Sequence, residues 1–224
     1  MRILLVGSEY GLGKFVYKEL DVSCHEIVQS HFNIMNEKDV VGFMAYQQAF
    51  DCLIYCAGVN RINRFDESPE EDFWESMDVN CYGFVRLIKI IREKNKWNPG
   101  MKVCFVTSNA ANVPMRHSLA YNCSKAAANM AIKQMAREIS PTEMVIFGVA
   151  PNKLEGTPMS REIEKKVLEM RGWTAEEAKR YQLEALPARI ETDPECLAIF
   201  ISMILTGPYF PYIHGNILPF GGPV

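Results

Sequence analysis

Arg2-Ile3-Leu4-Leu5-Val6-Gly7-Ser8-Glu9-Tyr10-Gly11-Leu12-Gly13 is the stretch from which the fold is read. A short apolar run leads into a turn with three glycines, and a helical pattern follows from Lys14 to Leu20. Strand, glycine turn and helix together let a pyrophosphate approach the backbone and rest on a helix N-terminus. The spacing is G-x-x-x-G-x-G rather than G-x-G-x-x-G, and Phe15 after Gly13-Lys14 breaks a P-loop. A ligand-free tight turn would use the same glycines. Its place at the first strand-to-helix junction favours the nucleotide, so Gly7, Ser8, Gly11, Leu12 and Gly13 are candidate cofactor contacts.

Outward from this turn, apolar runs alternate with helical patterns. His25 to Ser30 reads as a second strand, whose end faces the adenosine ribose of a bound dinucleotide. His31 occupies that place, neither acid nor arginine, so NAD or NADP is left open. Asn33 either bonds the adenine amino group or serves as a turn residue. Asp51 to Gly58 is a strand ending in Ala57 and Gly58, small enough for a flat ligand to lie against the backbone. Ser68-Pro69-Glu70-Glu71 starts a helix, with Ser68 as N-cap, that carries Asn80. Lys102 to Thr107 and Met144 to Ala150 are further strands, delivering Ser108 and Pro151, and roughly Gly215 to Phe220 is the last. The alternation predicts an α/β fold with a doubly wound, Rossmann-like parallel sheet of seven strands and helices on both faces. One domain is expected over 1–224. The charged, helix-forming stretch within 153–190 is expected to stand over the strand ends as a substrate lid, its charges mostly facing solvent.

Tyr121-Asn122-Cys123-Ser124-Lys125 carries the chemistry. Tyrosine and lysine four apart share one face of a helix, and a nearby ammonium pushes a phenol toward phenolate. Such a tyrosine exchanges a proton with an alcohol or carbonyl. Ser108, at the end of the run Val103-Cys104-Phe105-Val106, is placed to hold the same oxygen. The spacing alone is weak, since Tyr10 and Lys14 repeat it within the glycine turn. What singles out Tyr121 is the order of the other motifs.

Composition removes several classes. With 48% hydrophobic and 23% charged residues over 224 positions, a sizeable core is expected. A net charge of −3 gives no reason to expect nucleic acid. No apolar stretch suits a membrane span, and a soluble, cytoplasmic protein is expected. Seven cysteines, mostly in apolar runs, read as buried free thiols, and four histidines without ligand spacing predict no metal site.

Taken in order, these residues resemble the short-chain dehydrogenases/reductases, in their compact single-domain branch of the 3-oxoacyl-carrier-protein reductase type. GSEYGLG is similar to the family's glycine turn, Cys56-Ala57-Gly58 to its Asn-Ala-Gly element, and Leu218 to Gly222 to its closing strand. Asn80, Ser108, Tyr121 and Lys125 match its catalytic tetrad in order. The resemblance implies that Tyr121 is the general acid/base and that Ser108 orients the substrate oxygen. Lys125 lowers the tyrosine pKa and binds the nicotinamide ribose, while the Asn80 carbonyl holds a water in a proton relay. Pro151 and Thr157 resemble the segment that touches the nicotinamide. Val6, Tyr55-Cys56 and Asn152 depart from the family pattern, and the region between the second strand and Asn33 is short. The implied activity is hydride transfer between NAD(P) and a small carbonyl/alcohol substrate, in a homo-oligomer, tetramer or dimer. The competing readings are a non-catalytic dinucleotide sensor or scaffold, and a nucleotide-sugar epimerase or dehydratase.

Overall fold

The computed structural model describes residues 1–23, 25–186, 188–210 and 212–222. Six parallel strands form one sheet: β1 (Arg2–Val6), β2 (Glu26–Gln29), β3 (Phe50–Tyr55), β4 (Trp97–Val106), β5 (Met144–Pro151) and β6 (Ile217–Phe220). Their order is β2-β1-β3-β4-β5-β6. The expected seventh strand is absent among the described residues. Chains of this kind commonly place two strands beyond the first one; here only β2 stands there. From Gln29 the backbone turns through a short loop straight into α2 (Glu37–Ala45), too short a path for another strand and crossover helix.

Alternation along the strands separates two cores. Leu4, Leu53, Val103 and Ile146 face one way, packing on α2, α4 (Gly83–Glu93) and α5 (Leu119–Glu138) through Met44, Leu87 and Ile132. Ile3, Ile54, Cys104 and Phe147 face the other way, onto α1 (Gly11–Val22) and α8 (Pro194–Thr206) through Val16, Leu20 and Ile201. Strands buried on both faces explain why the sequence runs are continuously apolar.

Helix starts follow local chemistry. The Asn36 side chain accepts from Lys38 N–H, and Asp193 accepts from Glu195 N–H ahead of Pro194. Ser68 does not cap α3 (Glu70–Met77) as expected; Pro69 holds the N-cap position and no side-chain bond is made there. Between α3 and α4 the chain makes a π-helical turn, Asp78–Tyr82, which the sequence pattern had suggested was plain helix. Such turns widen a helix by one residue and recur at functional sites.

Between β5 and α8 lie α6 (Pro158–Arg171), capped by Thr157, and α7 (Ala175–Glu184), started by a Thr174/Glu177 capping box. Their charges are not all solvated. Glu191, with 3% of its side chain exposed, receives Lys153 at 3.0 Å and Lys179 at 2.8 Å, and it also accepts from Gln182. Lys153 in turn pairs with Glu164 of α6. Among the described residues, no helix is long and apolar enough to cross a membrane. The thiols are only partly buried: Cys52 and Cys104 are enclosed, Cys56 and Cys81 half-buried, Cys123 and Cys196 exposed, and Cys24 lies outside the described residues.

Candidate functional site

The strand order reverses between β1 and β3, and the crevice at their carboxyl ends is where open parallel sheets bind ligands. Gly7, at φ 80°, lets the turn press against the neighbouring loop: a Cβ there would lie 2.7 Å from Ala57 N. Gly13 is tighter still, since a Cβ would lie 1.9 Å from the Gly7 carbonyl oxygen. Gly11 differs. At φ 56° it faces open space, and the α1 N-terminus beside it has neither a side-chain cap nor an acidic residue in its first turn. Free N–H groups, a helix dipole and no competing carboxylate make a seat for an anion.

Other expected contacts are partly committed elsewhere. The Ser8 hydroxyl, buried, donates to Gln29 Oε1 at 2.8 Å. Gln29 thus reaches the glycine turn from the end of β2, a polar contact that sequence reading missed. Its signal was an amide at the last position of that strand. His31 is exposed. Asn33 Oδ1 accepts from Met35 N–H at 3.0 Å, so its oxygen serves a turn and its amide nitrogen remains available. Thr157 spends its hydroxyl on capping α6, accepting from Ser160 N–H and donating to Ser160 Oγ. Pro151 is buried at the end of β5.

Asn152, next along, stitches three segments. Its Nδ2 donates to the Gly221 carbonyl at 2.6 Å, and its Oδ1 accepts from Thr192 N–H at 3.1 Å and from the Thr192 hydroxyl. Asn152 fits there because position 221 carries no side chain.

The four tetrad positions converge. Asn80, fully buried in the π-turn, accepts from Val59 N–H at 2.8 Å and donates to the Val59 carbonyl at 2.8 Å and to Ser124 Oγ at 2.9 Å. Ser124 is one residue before Lys125 on α5, whose ammonium donates to the Val106 carbonyl at 3.0 Å. Gly58 backs onto both: a Cβ there would stand 3.3 Å from Asn80 Oδ1 and 3.6 Å from Lys125 Nζ. Tyr55, fully buried, donates from its hydroxyl to the Val79 carbonyl at 2.7 Å and so anchors the π-turn to β3. Ser108 follows β4, buried, with its Oγ accepting from Ala110 N–H at 3.2 Å.

Electrostatics corrects one expectation. Burial raises the Tyr121 phenol above its ordinary value, and contact with the Ser108 hydroxyl lowers it again only in part. Lys125 does not push it to phenolate: the ammonium is turned to Val106 and lies 5.7 Å from the Tyr121 ring centroid. Burial instead brings Lys125 itself down to about 8, with Cys56 and Cys81 opposing weakly. Burial also raises the Cys56 thiol to about 12, which keeps it protonated beside the lysine. The arrangement therefore holds a protonated phenol next to a serine hydroxyl, a lysine and an open glycine-walled crevice. That set suits proton exchange with a substrate oxygen.

Known proteins share this plan. A family model described as short chain dehydrogenase matches residues 2–168. The vibriobactin-specific 2,3-dihydro-2,3-dihydroxybenzoate dehydrogenase of Vibrio cholerae is 31% identical over 144 residues, 62% of this chain and 52% of that protein. The matched part thus spans about half the length of that relative. A benzil reductase of Saccharomyces cerevisiae is 26% identical over 229 residues, covering 96% of this chain and 82% of that one. A solved variant of actinorhodin polyketide ketoreductase with NADPH superposes with a TM-score of 0.86 at 16% identity, covering 99% of this chain and 95% of that one. By the match to residues 2–168, together with its parallel sheet, the chain belongs to the short chain dehydrogenase family.

Proposed function

We propose that this protein transfers hydride between a nicotinamide dinucleotide and a small carbonyl/alcohol substrate, with Tyr121 as general acid/base. The observation that carries this reading is the convergence of Asn80, Ser108, Tyr121 and Lys125 beside Gly58, at the carboxyl ends of β3 and β4. The crevice also fits the cofactor. The uncapped α1 N-terminus and open Gly11 suit a pyrophosphate, while Ala57 and Gly58 leave room for a flat ring near Lys125.

A nicotinamide dinucleotide held in this crevice would supply or take up the hydride. Tyr121, held protonated by burial, gives its proton to the carbonyl oxygen during reduction and recovers one from the alcohol during oxidation. Ser108 stands beside the phenol and is assigned to fix the substrate oxygen. Lys125 contributes an ammonium that the cofactor's ribose hydroxyls would meet. Asn80 positions Lys125 through Ser124 and keeps the loop at Val59 in register. His31 and the amide of Asn33 are left to the adenosine end, and Pro151 and Thr157 to the nicotinamide side. A homo-oligomer is part of the proposal, built on the exposed Met130 of α5 and Tyr82; a monomer by light scattering contradicts it.

The test is Tyr121→Phe with NADH and NADPH. The variant loses turnover of a carbonyl panel while thermal shifts by the preferred cofactor persist, because the phenol oxygen acts on the substrate. Undiminished turnover in the variant refutes the assignment.

A further inference from the structure

Three segments meet at one edge of the site. Asn63 N–H donates to the His117 carbonyl at 3.0 Å, joining the loop after β3 to the loop after Ser108. Arg64 Nη2 reaches the Met170 carbonyl at 3.5 Å, joining the first of these to the C-terminal end of α6. The two bonds bring Arg64, Arg116 and Arg171 close enough to act on His117, which lines a cavity with Arg61 and Asn63. That cavity, of about 180 Å³, opens at a mouth walled by Phe65, Pro114, Met115 and Leu119 and by Ala120 and Asn122, which flank Tyr121 in sequence. A space of roughly 150 Å³ accepts a benzene ring.

What sets this mouth apart is that its unpaired cations, among the described residues, are arginines beside a cavity. Arg61, which lines the cavity itself, is taken up by Glu75 in a two-pronged bond. Around the mouth, Arg64 has only the exposed Glu67 at 3.8 Å. Among the described residues, Arg116 and Arg171 have no carboxylate within ion-pair distance. Arg171 is nevertheless held in place. Its guanidinium lies 4.6 Å from the Trp173 ring and 5.4 Å from that of Tyr181, and its Nε is buried without a hydrogen-bond partner. His117 senses the surplus: burial first, then Arg171, Arg116 and Arg64, lower its pKa and keep the ring neutral. Like charges brought together beside apolar walls repel one another, and an anion placed among them relieves this.

We propose that this mouth binds a carboxylate or phosphate borne by the carbonyl substrate, whose apolar body lies against Phe65, Met115 and Leu119. Arginine forks suit either oxyanion, and the stacked Arg171 is already ordered for one. This rests on the hydride-transfer reading for the reaction, but the anion site itself does not.

The experiment compares 4-formylbenzoate with its methyl ester, using each cofactor in excess. The wild type favours the acid in kcat/KM by about tenfold or more, and about 1 M NaCl erodes the preference. Arg116→Gln and Arg171→Gln each lower the acid-to-ester ratio by about tenfold. Arg116 sits on an exposed loop, so its variant tests the site even where loss of Arg171 disturbs α6. An unchanged ratio in both variants overturns the proposal. Where neither aldehyde is turned over, 4-methylbenzoate is titrated calorimetrically. Binding that both variants weaken supports the anion site while the redox reading fails, and absence of binding by the wild type overturns the site.

Discussion

Lys125 and Val106 are joined by a 3.0 Å hydrogen bond from the ammonium to the last carbonyl of β4. The lysine is 3% exposed, with the Phe105 ring 5.4 Å away and no carboxylate within ion-pair distance among the described residues. A charge so placed destabilises the fold that holds it, and persists for what it does when a ligand arrives.

Lys125→Met is expected to stabilise the cofactor-free protein at pH 7 while abolishing turnover. Lowering the lysine from 10.5 to about 8 corresponds to a penalty of roughly 3 kcal/mol on the charged form. Leaving the Val106 carbonyl unpaired returns about 1 kcal/mol of that, for a net gain of about 2 kcal/mol. The unfolded chain keeps its proton up to 10.5 and the folded one releases it near 8, so the wild type gains stability as pH rises through that window. Urea melts at several pH values from 7 to about 10.5 should show the gap between variant and wild type closing. A variant less stable at pH 7 would show that burial of the ammonium is not costly.

Asn80→Ala removes three hydrogen bonds from a fully buried site and leaves both Val59 backbone groups unpaired, while Ser124 keeps only its bond to the Tyr121 carbonyl. A loss of about 2–4 kcal/mol follows. Because Ser124 precedes Lys125, kcat should fall further than instability accounts for at temperatures where the variant is still folded. Asn80→Asp keeps the acceptor toward Val59 N–H but turns an oxygen to the Val59 carbonyl, and should rescue neither property. Recovery of kcat in Asn80→Asp would show that the amide donor is not what matters.

The sheet and its parallel sense were legible in the chain because apolar runs and glycine turns are local signals, and four-residue spacing put Tyr121 and Lys125 on one helix. The strand count was not: the six apolar runs named in the chain are the six strands of the sheet, and no run of its own stands behind a seventh. The π-turn at Asn80 leaves no trace in periodicity, being one residue of widening enforced by the Tyr55 bond to Val79. The lysine's effect on Tyr121 was misjudged because spacing places two residues on one face without saying where an ammonium points. Lys153, Glu164 and Glu191 read as solvated charges since only the tertiary fold brings them together.

Gly13→Ala should not yield a native glycine turn. The added carbon meets backbone atoms of Gly7 and Ser8, which cannot swing aside as a side-chain tip would. A cost of about 3 kcal/mol or more is expected, with loss of dinucleotide binding. Gly11→Ala meets no atom but holds φ 56°, so it should cost only about 1–2 kcal/mol. Thermal melts of the two, with and without NADPH, separate the steric effect from the conformational one. Equal melting temperatures would contradict the close approach of Gly13 to Gly7.

Glu191 ties α6 and α7 to the sheet, and its loss should loosen them before the rest. Burial works to raise its pKa, but hydrogen bonds from Lys179 and Lys153 outweigh it and leave the carboxylate below its ordinary 4.5. A carboxylate lowered on folding contributes stability above its unfolded value and loses it as pH falls through the folded one. The α6–α7 pair should therefore loosen in acid below about pH 4.5. Glu191→Ala leaves two lysines and Gln182 facing an emptied site, which costs about 3–5 kcal/mol. Because these contacts join α6 and α7 to the segments beside them, the cost should fall on local opening: amide exchange across 158–184 accelerates while that of β1, β3 and β4 changes little. If α6 covers the substrate, KM rises more than kcat falls, and Glu191→Gln, which keeps hydrogen-bond acceptance without the charge, lies between. Uniform acceleration of exchange through the sheet would show instead that Glu191 supports the whole fold and not its cover.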